Sequence, residues 1–256
     1  MLDKKQKYLQ IALNSTLEEA KAIIFQIPLD ERIILEAGTP LIKSYGTKAI
    51  ETIKRFWEER IFGPQIEYQS SWLEKLIKEM AKKVKEKEIF PKEKQIPLSP
   101  YIVADLKCMD RGEREVQIAK MGGASGAVVL GQAPVETINA FIEACEKYGL
   151  DAMVDMMNVK YPLEVLRKLK KLPKVVILHR GVDEERFNPE SEIPYHEIHR
   201  IKENYDIMIA IAGGDTINEV QRAIFNDADI VVVWKSFYKS TAQTAKLAYE
   251  FLKEIR

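Results

Sequence analysis

Cysteine is nearly absent from this chain of 256 residues, which has only Cys108 and Cys145. Two cysteines make neither a disulfide framework nor a zinc-binding pattern, and such sparse thiol usage fits a reducing compartment. Net charge is absent as well, because Lys plus Arg and Asp plus Glu both number 39. That balance counts against a general nucleic-acid or anionic-membrane binder, which needs a basic excess, but it leaves room for a local basic pocket around one phosphate. Long apolar runs are missing. The longest, such as Ile230-Val-Val-Val-Trp234, have strand length, whereas a bilayer span needs about 20 residues. The opening Met1-Leu-Asp-Lys-Lys-Gln-Lys has no apolar stretch of the kind a signal peptide uses. The expectation is a soluble, cytoplasmic protein with no nucleic-acid or membrane partner. Neither GxGxxG nor a P-loop occurs, which lowers the nucleotide-binding folds. No internal repeat stands out beyond a βα period.

What is present is a regular alternation. Short Val- and Ile-rich runs at 8–13, 33–37, 101–106, 127–130, 152–156, 175–178, 207–211 and 230–234 read as strands. They are apolar almost throughout, as parallel strands covered on both faces should be. Amphipathic stretches at 17–27, 41–57, 113–121, 135–148, 162–172, 193–204, 217–225 and 242–255 read as helices. Eight βα units predict one α/β domain over residues 1–256, a (β/α)8 TIM-type barrel, with a doubly wound open sheet as the competitor. Residues 58–98 break the alternation as an inserted helical segment between the second helix and third strand. Within it, Ser70 or Ser71 can cap a helix ending before Pro91, with Trp72, Leu73, Leu76, Ile77, Met80 and Val84 on one face. That helix is either packed on the barrel wall or a lid or interface element.

Barrel chemistry gathers where strands hand over to their loops at the C-terminal rim. In order, the strand ends are Asn14, Glu36, Asp105 with Lys107, Gly131, Asp155 with Asn158, His179, Gly213-Gly214 and Lys235. Asp105 and Lys107, two apart on a strand, face one space. They form either a structural ion pair or part of a site. Glu36, on the neighbouring strand, can approach Asp105, and two carboxylates suit Mg²⁺, which keeps waters or substrate oxygens as its other ligands. The alternative is a carboxylate paired with Lys107. Asp110 opens Asp110-Arg-Gly-Glu113, which has the form of a helix capping box. His179 closes an apolar run and is either a satisfied core histidine or a proton carrier. His196 and His199 read as surface residues. Gly213-Gly214 can offer backbone N–H groups to an anion, or can simply form a tight turn. Lys235 is either part of that anion pocket or a solvated lysine. The loop from Gly181 to Pro194 is a candidate cover.

Taken together, Leu9-Gln-Ile-Ala-Leu13, Glu36-Ala-Gly-Thr-Pro40, Val103-Ala-Asp-Leu-Lys-Cys-Met-Asp110, Val154-Asp-Met-Met-Asn-Val159, His179-Arg-Gly-Val-Asp183 and Ala212-Gly-Gly214 resemble the orotidine monophosphate decarboxylase superfamily. More narrowly, they resemble its 3-hexulose-6-phosphate synthase branch. The resemblance implies a barrel that dimerises with active sites at the interface. It implies Glu36 and Asp105 as Mg²⁺ ligands, and Lys107 as the group that stabilises or protonates intermediates. Asp110 would reach the neighbouring subunit's site, and His179 would transfer protons. Asn14, Asp155, Gly213, Gly214 and Lys235 make the expected substrate-binding set. A carboxylate at Glu36 sides with the metal-dependent members, because orotidine monophosphate decarboxylases typically carry a lysine there. The implied activity is an Mg²⁺-dependent aldehyde-lyase acting on a phosphorylated sugar, joining ribulose 5-phosphate and formaldehyde to a hexulose 6-phosphate or cleaving it. The alternatives are a related sugar-phosphate decarboxylase and a diverged barrel that binds without catalysis. Three departures bear on substrate choice. Asn14 stands where the branch has Asp, Trp234-Lys235 stands where it has Gly-Arg, and residues 58–98 are extra.

Overall fold

The computed structural model describes residues 1–63, 99–188, 190–239 and 244–255. Eight parallel strands close into a barrel in sequence order. They are β1 (Tyr8–Leu13), β2 (Ile33–Ala37), β3 (Tyr101–Cys108), β4 (Gly126–Leu130), β5 (Asp151–Asp155), β6 (Val175–His179), β7 (Met208–Ala212) and β8 (Ile230–Val233). The ring shuts where β8 pairs with β1, Tyr8 lying opposite Ile230. Outside it run α1 (Leu17–Ile24), α2 (Thr39–Tyr45), α3 (Thr47–Phe62), α4 (Gly112–Met121), α5 (Val135–Tyr148), α6 (Pro162–Leu166), α7 (Val182–Phe187), α8 (His196–Lys202), α9 (Ile217–Phe225), α10 (Lys235–Lys239) and α11 (Thr244–Glu254). The open-sheet alternative is excluded by the closure.

Period-2 alternation along each strand divides the core into two shells. Leu9, Ile11, Leu35, Val129, Val154 and Ile209 point outward and pack under the helices. Tyr8, Ile34, Val103, Met153, Val175, Met208 and Ile230 point inward and fill the barrel. At the N-terminal mouth the side chain of Asp151 accepts the Leu2 N–H at 2.8 Å and the Tyr101 hydroxyl at 2.6 Å. The floor of the barrel is therefore packed and hydrogen-bonded. Two of the helices are started by side-chain caps. Thr16 and Glu19 form a capping box at α1, and Thr216 and Glu219 form another at α9. Such a cap stabilises its helix by about 1 kcal/mol.

Three expectations change. The stretch 41–57 is not one helix, because Gly46 at φ +62° separates α2 from α3. α3 then runs on through residues 58–62, so those belong to the wall and not to an insertion. The remainder of the expected insertion, 64–98, lies outside the described residues. Finally, Asp110 is not the N-cap residue of α4. The cap position of α4 is Arg111, in a left-handed conformation with no side-chain cap bond.

Candidate active site

Above the floor, the inward positions become polar and open on a cavity of about 380 Å³. That falls within the usual range for small-molecule sites, roughly 300–1,000 Å³. Of the residues singled out from sequence, Asn14, Glu36, Asp105, Lys107, Asp155, His179, Gly213 and Lys235 all line it. Gly214 does not. It is buried, and a Cβ there would meet Glu219 at 3.0 Å and Ile193 at 3.3 Å. Asp110 also lies elsewhere, exposed on the surface beside Arg111, Glu113 and Arg114. His196 and His199 are exposed, as expected. The loop after β6 is in part a helix, α7, whose Val182 and Glu185 form one wall of the cavity.

Lys107 is the hub. β3 loses its regular pairing with β4 between Ala104 and Cys108, and Lys107 takes φ +45°. A side chain rarely adopts that left-handed backbone, which costs on the order of 1 kcal/mol and marks functional positions. The twist brings Lys107 Nζ to 3.2 Å from Asp105 Oδ2 and 3.0 Å from Asp155 Oδ2. Burial alone would favour loss of its proton, but the two carboxylates and Glu36 outweigh burial and raise its pKa. Asp155 Oδ2 also meets His179 Nδ1 at 2.8 Å, and its Oδ1 accepts the Met157 N–H at 2.9 Å. Burial opposes ionisation of Asp155. The pull of His179 and Lys107 is stronger and holds it down at about 2. For His179 burial works against the proton, yet Asp155 raises its pKa. With Nδ1 engaged by Asp155, Nε2 is the ring nitrogen left to exchange a proton with a ligand.

Glu36 and Asp105 come from adjacent strands, Glu36 pairing with Val103 two residues before Asp105. Both are less than 10% exposed. Burial first, and then repulsion by Asp105, pushes Glu36 up to about 7. Gln10 Nε2 donates to Glu36, and Thr39 Oγ1 donates to Asp105 Oδ2 at 2.8 Å. Among the described residues no cluster of three or more His, Cys, Asp or Glu side chains is placed to hold a metal ion. Two buried, mutually repelling carboxylates do fit Mg²⁺, which typically takes one or two protein carboxylates and fills its shell with water and substrate oxygens. The residues present are therefore compatible with it.

On the far side, β7 and β8 deliver a different group of side chains. Gly213 adopts φ +101°, and a Cβ there would meet Arg180 O at 2.4 Å, so the chain requires glycine at this point. Arg180 Nη2 donates to Gly213 O at 2.8 Å. Lys235 Nζ is 2.5 Å from Glu185, and Asp215 Oδ1 accepts the Trp234 N–H at 2.6 Å. Burial raises the Asp215 pKa, with hydrogen bonds from the Trp234 backbone opposing. Trp234 packs edge-on against Tyr238 at 6.3 Å and lines the cavity without filling it.

Sequence reasoning passed over Gln10, Thr39, Arg180, Glu185 and Asp215. Gln10 was findable, as the one polar residue inside Tyr8–Leu13 and on the same face as Ala12 and Asn14. Glu185 and Asp215 carry no such periodic signal.

Comparison with known proteins gives findings of three kinds. Residues 96–248 match the model of the "Orotidine 5'-phosphate decarboxylase / HUMPS family". The "Bifunctional enzyme Fae/Hps" of Methanocaldococcus jannaschii is 34% identical over 234 residues, covering 91% of this chain and 48% of that protein. Its namesake from Methanothrix thermoacetophila is 31% identical over 251 residues, covering 97% and 53%. The chain thus spans about half the length of these curated relatives. In structure, 3-hexulose-6-phosphate synthase from Salmonella typhimurium superposes with a TM-score of 0.71 at 25% identity, covering 97% of this chain and 98% of that one.

Proposed function

The chain belongs to the orotidine 5'-phosphate decarboxylase / HUMPS family, and from that premise we propose that it works as a 3-hexulose-6-phosphate synthase, an Mg²⁺-dependent aldehyde-lyase on a ketose phosphate. One observation carries the reading. Glu36, Asp105, Lys107, Asp155 and His179 leave four different strands and converge on one cavity. A barrel needs no such convergence to fold, because the interior beneath it is filled mostly by apolar side chains.

In the condensing direction, His179 Nε2 takes a C1 proton from ribulose 5-phosphate, giving an enediolate. Asp155 orients the imidazole and stabilises the imidazolium once the proton has moved. Lys107 keeps its charge and sits beside the developing oxyanion, where a fixed cation in a water-poor site is most effective. The enediolate carbon then forms a bond to formaldehyde, whose oxygen takes the proton back from the His179 imidazolium and becomes the new hydroxyl of hexulose 6-phosphate. Glu36 and Asp105 would hold Mg²⁺, and the ion would supply Lewis-acid stabilisation of the charged oxygens. Gln10 and Thr39 keep the two carboxylates in place. The Gly213 turn and Lys235 receive the phosphate end, and Asn14 and the wall of α7 close around the sugar. The reading includes a homodimer in which Asp110, turned away from its own cavity, reaches the partner's.

The test is formaldehyde release from hexulose 6-phosphate by the purified protein, with and without Mg²⁺. Release that requires the ion and is lost in Glu36→Ala and Asp105→Ala is the expected outcome. No release, or equal release from both variants, rejects the reading. Exchange of the C1 proton without release points instead to a decarboxylase.

A further inference from the structure

Opposite Lys107, the cavity ends against the loops after β7 and β8, where the reading above puts the phosphate. Charge there is arranged against an anion. Two cations, Arg180 and Lys235, face three carboxylates. Lys235 Nζ is paired with Glu185 at 2.5 Å. Arg180 Nη2 lies 4.0 Å from Glu185 and 3.7 Å from Glu219. The remaining carboxylate, Asp215, has taken the Trp234 N–H at 2.6 Å. Two further donors at this end, Trp234 Nε1 and Arg180 Nε, are buried without a hydrogen-bond partner among the described residues. The pole thus holds two buried N–H donors with no acceptor among the described residues. The strongest positions, Lys235 and the Trp234 N–H, are held by the protein's own carboxylates.

We infer that Asp215 is a specificity-determining residue that competes with the substrate's phosphate for this end of the cavity. It rests on the sugar-phosphate reading for where the anion goes, and not on the carbon chemistry. Phosphate must displace Asp215 from the Trp234 N–H and draw Lys235 away from Glu185. A weak or singly charged anion gains too little to do so, which is discrimination by a resident competitor. The opposite role, a brace for the loop, has its own support. The Asp215 side chain ties the loop after β7 to the backbone of Trp234, just beyond β8. The two roles predict opposite signs. Losing a competitor tightens phosphate binding, whereas losing a brace weakens it.

The probe is inorganic phosphate, titrated calorimetrically into the full chain as wild type, Asp215→Asn and Asp215→Ala, with melting curves to confirm folding. Both variants should bind phosphate roughly tenfold more tightly or better, as removal of a like charge a few ångströms away allows. Adding Lys235→Ala to Asp215→Asn should cancel most of that gain, which locates the anion at this end. Unchanged or weaker binding in the near-isosteric Asp215→Asn overturns the inference, and so does a gain that survives Lys235→Ala. Should Asp215→Ala not fold, Asp215→Asn carries the test. Tighter phosphate binding without formaldehyde release leaves this role standing and removes the substrate assignment. Release without tighter binding does the reverse.

Discussion

The two ends of the cavity handle charge differently. At the β3–β5–β6 end each charged group sits on a strand terminus and is shared. Lys107 bridges Asp105 and Asp155, and Asp155 bridges Lys107 and His179. At the β7–β8 end the cations are tied to carboxylates on α7 and α9, and the carboxylate on the loop after β7 holds the Trp234 N–H. The first arrangement is preorganised, since the strand ends cannot shift without opening the barrel. The second can exchange partners, since its members sit on loops and on helices of at most nine residues. The family-like Asp105, Lys107, Asp155 and His179 lie at the rigid end, and Gly213 shares the adaptable end with the departures Trp234 and Lys235.

The sharpest way to break this contrast is Lys107→Met. Three carboxylates, Glu36, Asp105 and Asp155, would lose their common cation. Formaldehyde release should fall by about 10³-fold or more, and urea unfolding should show a loss of about 3–5 kcal/mol, as for a broken buried pair. A loss under tenfold would mean the rigid end is not where the reaction occurs. Asp155→Asn keeps the shape and removes the charge. Turnover should drop by about 10²-fold. NMR titration should show the His179 pKa falling, because burial then acts on it without the opposing pull of Asp155.

Glu36 tests the same end through stability. Its folded pKa of about 7 lies above the ordinary 4.5, so the folded protein keeps this proton longer than the unfolded chain. The stabilisation is complete below about 4.5 and is lost as the pH rises through about 7. Without divalent ions, melting curves should therefore show wild type losing on the order of 2–3 kcal/mol across that window, and Glu36→Gln should not. Mg²⁺ should recover much of the loss at neutral pH. Asp155 acts with the opposite sign, contributing stability above its ordinary 3.8 that is lost as the pH falls through about 2. The two windows do not overlap. The smallest effect belongs to the adaptable end. Lys235→Ala should raise KM for the sugar phosphate by about 3- to 10-fold with kcat nearly unchanged, because Lys235 already spends part of its charge on Glu185. A large loss in kcat would dissolve the contrast.

The difference between the ends also explains what could be read from the residues alone. Runs such as Val175–His179 declare themselves, since only a strand covered on both faces is apolar throughout. The rigid end follows at once, because side chains two apart on a strand share a face and strand ends meet at one rim. Asp105, Lys107, Asp155 and His179 were legible in that way. The left-handed turn at Lys107 was not, being imposed by the barrel on a residue with no preference for it. At the other end, the pairing of Lys235 with Glu185 joins residues 50 apart, and no periodicity encodes it. The break at Gly46 was hidden because the apolar spacing of α2 continues into α3, so the pattern ran across a kink.

The packed floor under the cavity has a kinetic meaning. With Leu2, Tyr101 and Asp151 stitched together beneath it, the chamber is a cul-de-sac. Whatever enters must turn round and leave by the same doorway. In the proposed reaction a one-carbon aldehyde and a five-carbon sugar would then form a queue, with the traffic rule set by masonry on the far side of the barrel.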